Sequence, residues 1–530
     1  MRQFRKTSTI ASATCAALLT ASWVGSGTVG ATTPDDAGGA ACDATVPGSQ
    51  LDYGVFAPNS AFDPTGTSGA LVGGTENAAV WDVLFRWDAE TAEIVPHLAE
   101  SLTPNDDFTE WTMKLREGIT YSDGTPLTAQ IVADNIDRYF APEGVRNTSA
   151  GFLQYIDTKT VVDDLTLDMV LTTAYAEFPQ VFADEPGMIV NTNVIGDDLD
   201  SFRVQPPDAA GVGPYVVERN VPGEETVLTA RSDYWGGPVC IETIRFVWIP
   251  GAQPTYDAFR NGELDAAFFK DPVVSAAVEA DGIQHFWFDQ DGSATINYNH
   301  REGHPTADIR LREAIALAID PQVISDRGYE GNLVTTKSYF GPDSRWLTDA
   351  VEEQPYDPER AAQLVEDVKA DGWDGTLNYV AGADGNGPDI ALAIEGMLGA
   401  VGITLDTELL PQVDTITRLG TGEFDIIGNG FNSGPDTALL SIIRNLSSTS
   451  PTNRMGYVSP AMDELLDQAL ATPVADLAPV MAEINNQINA DWAIAPYGVT
   501  AEGLAWADTV SGLVPTYSSI FLFHDASIEG

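Results

Sequence analysis

A chain of 530 residues is too long for one compact core, and its length suggests roughly two to four domains. Its 78 acidic side chains against 26 basic ones give a formal charge of −52, which excludes nucleic acid or any other polyanion as a partner. So much acid reads as a solvated surface that keeps the protein soluble, with at most a mild preference for a cationic ligand.

The chain opens like an export signal. Arg2, Arg5 and Lys6 precede an apolar and small-residue stretch from Ile10 to Val24, and Val29-Gly30-Ala31 offers small residues for cleavage after Ala31. Residues 1–31 are therefore expected to be a signal peptide, followed by an N-terminal segment over 32–50. No later stretch approaches the ~18 consecutive apolar residues of a membrane helix. Cys15 falls inside the apolar stretch, and Cys42 lacks the leucine three residues earlier that a lipid-attachment motif carries, so lipid anchoring is disfavoured. That leaves Cys42 and Cys240, an even count in an oxidising compartment, and predicts a disulfide between them.

Leu51–Phe56 reads as a strand running into the loop Ala57-Pro58-Asn59-Ser60-Ala61-Phe62-Asp63-Pro64, and Asn77–Phe85 has helical spacing. Trp111–Leu115 alternates as a half-buried strand. Thr128 caps a helix over Ala129–Tyr139, and residues 161–177 alternate as a hairpin. Three strands follow at Tyr215–Glu218, Glu225–Ala230 and Thr243–Pro250, entered through Gly211-Val212-Gly213-Pro214-Tyr215, where the glycines are expected to supply dihedrals closed to other residues. Ala258–Leu264 is a helix with Gly262 as its C-terminal cap. Thr295–Asn299 reads as a strand crossing between lobes, and helices follow from Asp308 to Ile319 and from Asp357 to Val368. Strands at Leu377–Val380, Thr404–Leu410 and Glu423–Ile427 alternate with a helix over Asp389–Ala400, which implies a mostly parallel sheet.

Several of these runs, in this order, resemble the extracytoplasmic solute-binding proteins of ABC importers, and within them the family that binds oligopeptides, dipeptides and nickel complexes. The runs are Ser122-Asp123-Gly124-Thr125-Pro126-Leu127-Thr128-Ala129, Gly211-Val212-Gly213-Pro214-Tyr215, Tyr234-Trp235-Gly236-Gly237, and the helix from Asp308 ending in Ala318-Ile319-Asp320. The resemblance implies an α/β fold with two lobes, the venus flytrap of periplasmic binding proteins (class II, cluster C), with an extra inserted domain. Lobe I would take 51–79 and 189–272, the inserted domain 80–188, lobe II 273–500, and a C-terminal return to lobe I 501–530. It further implies a monomer that captures a small-molecule or peptide ligand and delivers it to the transmembrane subunits of an ABC permease with separate ATPase subunits, and it calls for no cofactor.

Enzymatic parts are missing. There is no Gly-x-Ser-x-Gly elbow, no His-Glu-x-x-His and no spaced Cys/His set, which disfavours a secreted hydrolase. His300, Glu302 and His304 have ligand-like spacing, but Gly303 and Pro305 make the stretch a loop of surface histidines, and no metal site is expected. Gly382–Gly387 and Asp289–Gly292 read as loop and turn.

A cleft needs flat apolar walls and a few polar anchors, for which the candidates are Asn59, Trp287, Tyr298, Trp346, Phe431, Asn432 and Asp436. Phe431 carries most weight, because Phe424-Asp425-Ile426-Ile427-Gly428-Asn429-Gly430-Phe431 resembles the family run that lines the pocket. Peptide binders follow that run with an acid for the peptide's α-amine, and here Asn432-Ser433-Gly434-Pro435-Asp436 follows, with Asp436 the one acid in reach. A peptide is the leading ligand class. An oligosaccharide, an opine or a metal chelate stays open, as does a binder that serves no permease.

Overall fold

The computed structural model describes residues 42–59, 61–67, 69–141, 150–288, 290–430, 437–500 and 502–529. The expected signal peptide and the candidates Phe431, Asn432 and Asp436 lie outside the described residues.

Three larger sheets and three two-stranded ones carry the described chain. The largest has seven strands in the order Gln284–Phe288, Glu502–Trp506, Ala266–Phe269, Val46–Val55, Ile241–Trp248, Glu225–Ala230 and Tyr215–Val221. Val46–Val55 runs parallel to both of its neighbours. The second sheet has six strands in the order Val334–Thr335, Ile494–Val499, Ala294–Tyr298, Ile426–Gly430, Thr376–Gly382 and Thr404–Leu410, of which the last three are mutually parallel. A four-stranded antiparallel sheet from Ala99–Pro104 to Thr166–Leu171 belongs to the segment between the first and second parts of lobe I.

The helices start where short polar side chains can satisfy free backbone N–H groups. Thr128 Oγ1 accepts from Ile131 N at 3.4 Å, Asp308 Oδ1 from Arg310 N at 2.9 Å and Asp357 Oδ1 from Arg360 N at 2.9 Å.

Two domain boundaries differ from the sequence expectation. Gln284–Phe288 pairs with Glu502–Trp506 in the seven-stranded sheet, so lobe I runs on to Phe288 and the second sheet begins at Ala294 rather than near 273. The helices Ala438–Leu446, Pro460–Ala471 and Val474–Ala490 share a hydrophobic cluster with lobe I and the inserted sheet. Ala176 N donates to Leu470 O at 2.7 Å, and Val474 N to Glu177 Oε1 at 3.2 Å. Residues 273–500 are therefore not one packing unit. Apolar residues on a helix bury against whichever surface is nearest, and periodicity alone does not name that surface.

Gly211 and Gly213 also act differently from expectation. Neither has a positive φ. A Cβ at either position would instead collide with carbonyl oxygens of Ala79 or Val80, and Gly213 N donates to Val80 O at 2.9 Å. The glycines let this stretch lie against the end of the helix Gly74–Trp81.

That helix ends at Asp82, whose φ of 56° is costly for a residue with a Cβ. Its buried carboxylate holds the position. His97 Nε2 lies 2.6 Å from Oδ1, while Tyr234 Oη and Trp235 Nε1 donate to Oδ2 at 2.9 and 3.0 Å. Burial lowers the His97 pKa in spite of the pull of Asp82, and these donors hold the Asp82 carboxyl low against its own desolvation.

The structure joins Cys42 to Cys240 across 198 residues, with Cα atoms 5.6 Å apart. Val46 N donates to Cys240 O at 2.9 Å, so the bond fastens the start of the described chain beside its first strand pair.

Two outcomes follow. The non-reduced protein should be two hydrogens lighter by intact mass than the reduced one, and reduction should lower unfolding free energy in urea by about 2–5 kcal/mol. Asp82→Ala leaves three buried donors without an acceptor and should cost at least about 3 kcal/mol in the same assay.

Candidate functional site

In the seven-stranded sheet, Val46–Val55, Ile241–Trp248, Ala266–Phe269 and Gln284–Phe288 all run toward one edge. In the six-stranded sheet, Thr376–Gly382, Thr404–Leu410, Ile426–Gly430 and Ile494–Val499 likewise share a direction. The chain passes between the sheets twice, from Phe288 to Ala294 and from Val499 to Glu502. Both passages lie at one corner, because Phe288 pairs with Glu502 and Ala294 with Gly498. Each sheet thus turns the carboxyl ends of its parallel strands toward the passages, which is where open α/β sheets hold ligands.

Lobe I contributes a polar recess to this edge, lined by Val55, Pro58, Asn59, Glu76, Phe246 and Trp248 together with the hairpin over 220–226, and with room at its base for one water-sized group. Asn59 Oδ1 accepts from Ala61 N at 3.0 Å, while its buried Nδ2 has no hydrogen-bond partner. Glu76 stands in the first turn of the helix Gly74–Trp81 and is 1% exposed. Burial raises its pKa from 4.5 to about 7, against a hydrogen bond from its own backbone N–H. Lys270 Nζ pairs with Glu502 Oε2 at 2.8 Å at the same edge.

The other described candidates are scattered. Tyr298 is fully buried in the six-stranded sheet, where its hydroxyl donates to Arg312 O at 3.3 Å, so it packs the core of lobe II rather than walling a cleft. Trp287 leans toward the helix Pro272–Ala280, with its ring stacked on His285 at 5.1 Å and Nε1 donating to Glu279 at 3.0 Å, on a face of lobe I already covered by that helix. Trp346 is buried beside the first passage. Its Nε1 donates to Asp291 Oδ2 at 3.3 Å, and the Arg345 guanidinium lies 4.3 Å from its ring centroid. Asn59 alone of the four lines the recess.

His300 and His304 are half-buried and hydrogen-bonded rather than free at the surface, the His304 side chain keeping 29% exposure. His300 Nε2 meets Ala493 O at 2.9 Å and burial lowers its pKa to about 3, while His304 Nδ1 lies 2.9 Å from Asp425 Oδ1. Both tie loops to the second sheet. Among the described residues, no group of three His, Cys, Asp or Glu side chains could hold a metal ion.

Sequence reasoning passed over Glu76, because an acid in a first helical turn is ordinary and nothing in the chain marks it as buried.

A family model described as "Bacterial extracellular solute-binding proteins, family 5 Middle" matches residues 93–453. "Protein XP55" of Streptomyces lividans is 28% identical over 469 residues, covering 81% of each chain. The "Probable D,D-dipeptide-binding periplasmic protein DdpA" of Escherichia coli K12 is 26% identical over 397 residues, covering 73% of this chain and 75% of the relative. Among solved structures, Haemophilus influenzae OppA in complex with RPPGFSPFR superposes with a TM-score of 0.78 at 19% identity, covering 91% of this chain and 99% of that one, which shows the shared fold.

Glu76 sets a pH test. A carboxyl whose pKa is higher folded than unfolded contributes most below about pH 4.5, and its contribution falls as pH rises to about 7. Glu76→Gln should therefore raise stability above pH 7 by up to about 3 kcal/mol and change it little near pH 4, as read from urea midpoints at the two pH values.

Proposed function

This chain belongs to the bacterial extracellular solute-binding proteins of family 5, and from that premise we propose that it captures a peptide-like solute between its two lobes outside the cell membrane and passes it to the permease of an ABC importer. The observation that carries this reading is the convergence of two sets of parallel-strand ends on one double passage. Such a joint lets the lobes close on a solute that touches both, and the binding energy then shifts the open and closed populations. No bond is made or broken in that cycle, and ATP is spent by separate subunits. The basic and apolar composition of residues 1–31 supports export, and among the described residues no helix is long and apolar enough to cross a membrane.

Peptide as the ligand class is supported by the D,D-dipeptide named for one relative and the nonapeptide in one structural neighbour. A second reading, a non-peptide solute such as an opine, an oligosaccharide or a metal chelate, draws on Asn432 standing soon after Phe431, where peptide binders carry an acid.

Native mass spectrometry of the purified protein should reveal a retained peptide mass, and small-angle scattering should show a smaller radius of gyration once a peptic casein digest is added to stripped protein. A retained sugar or metal chelate would displace the first reading in favour of the second. An unchanged radius with every ligand class would count against closure.

A further inference from the structure

Lobe II carries a groove that shares no lining residue with the recess of lobe I. It holds about 530 Å³ between the helices Pro321–Gly328 and Gly387–Ala400, within the roughly 300–1,000 Å³ of small-molecule sites. The two helices run antiparallel. Asn386 Nδ2 donates to Gly328 O at 2.8 Å at one end, and Asp320 N lies 3.2 Å from Met397 Sδ at the other.

This packing gives the groove two unlike ends. Arg327 and Asp389 line it at the end marked by Gly328 and Asn386. Met397 lines the opposite end, and Tyr356 joins it there because Asp357 N donates to Leu317 O at 3.0 Å, just before Asp320 in the chain. Val323, Leu392 and Ala393 line the stretch between, so the walls are apolar except at the Arg327 end. Leu392 and Tyr356 keep 65% and 52% of their surface open to water, and an apolar molecule lying in the groove shelters both.

Charge decides what kind of molecule that is. Among the described residues, the side chains of Arg327 and Asp389 make no hydrogen bond or ion pair, with each other or with a neighbour. The first can only donate and the second can only accept. A neutral head that does both, a hydroxyl or a primary amide, satisfies the two at once, whereas a charged head is repelled by one of them. The exposed acids Asp326, Asp357 and Glu395 each adjoin a lining residue in the chain and make the rim negative. That rim turns away an anionic amphiphile, an anionic lipid surface and a second copy of this acidic chain.

We propose that the groove is a second binding site, independent of the interlobe cleft, for a small neutral amphiphile. Its apolar body lies along Val323, Leu392 and Ala393 toward Tyr356, and its hydroxyl or amide head sits between Arg327 and Asp389. Nothing in this assignment depends on which solute the cleft takes.

The test uses N-phenyl-1-naphthylamine, a neutral apolar fluorophore with one N–H, added to stripped full-length protein. Its fluorescence should rise to saturation at one equivalent per chain and should not change when a peptic casein digest is added. Decanol should displace it at no more than about a tenth of the concentration that decanoate needs at about pH 8. Gly396→Phe places a ring in the groove and should weaken probe binding at least about ten-fold, whereas Gly399→Phe, on the same helix but outside the groove, should bind as wild type does. A Cβ at either glycine meets no atom within 4 Å, and each change removes a glycine from a helix interior, so both variants should melt no lower than wild type. Leu392→Gln, at an exposed position, should weaken binding at least about three-fold through the loss of one apolar wall.

Undiminished binding to Gly396→Phe, an equal loss in Gly399→Phe, displacement by the digest, displacement by decanoate as readily as by decanol, or no fluorescence rise with wild type would each overturn the proposal. A digest that binds nowhere counts against the peptide reading of the cleft and leaves the groove to be judged by the glycine variants.

Discussion

The Asp82 carboxylate is the contact on which the arrangement of lobe I depends. It receives a ring nitrogen from His97, a hydroxyl from Tyr234 and an indole N–H from Trp235, and so ties the end of one helix to a residue of the inserted segment and to the stretch that returns the chain to lobe I. His524 packs beside His97 with ring centroids 5.4 Å apart, which brings the C-terminal segment to the same point. Four parts of the chain separated by more than 400 residues thus converge on one buried charge. A carboxylate withdrawn from water needs several donors to offset its desolvation, and the donors available come from different parts of the chain. The positive φ of Asp82 is strain that this network holds in place.

Lobe I is fastened there and by the disulfide at Cys240, and its sheet joins the second sheet through the two passages at one corner. Asp291 lies in the first passage and is itself anchored, because Ser344 Oγ donates to it at 2.5 Å and Trp346 Nε1 at 3.3 Å. Trp346 belongs to the hydrophobic cluster that includes lobe I, so the first passage is braced from that side. Trp346, expected as a cleft wall, is instead a buried support of the first passage.

Much of the fold was legible because its signals are local. The strands at 215–221, 225–230 and 241–248, the helix starts at Thr128, Asp308 and Asp357, and the parallel sheet over 376–430 follow from periodicity, capping and turn residues. What escaped was long-range partnership. Nothing in Ala438–Leu446 says that its apolar face meets lobe I rather than lobe II, and nothing in Gly211 distinguishes a required dihedral from a required closeness to Val80. The cleft residues suffered most, since an aromatic at a strand end has the same local signature whether it lines a cavity, as supposed for Tyr298, or fills a core, as found. Arg444, whose guanidinium is enclosed by protein, did leave a trace, a lone cation in the apolar run Ala438-Leu439-Leu440-Ser441-Ile442-Ile443-Arg444-Asn445-Leu446, in a chain sparing of cations.

That sparseness bears on how net charge should be used. A formal charge of −52 suggests at first a taste for cations, but most of those acids sit in water, where fields decay within about 8 Å at physiological ionic strength. A group enclosed by protein responds to the few charges around it and to the water it has lost. Burial and Arg454 lower the Arg444 pKa although Tyr339, Glu185 and Asp184 pull it up, in a protein with three acids for every base. Net charge therefore governs solubility and which macromolecules are kept away, while a group enclosed by protein answers to the charges beside it.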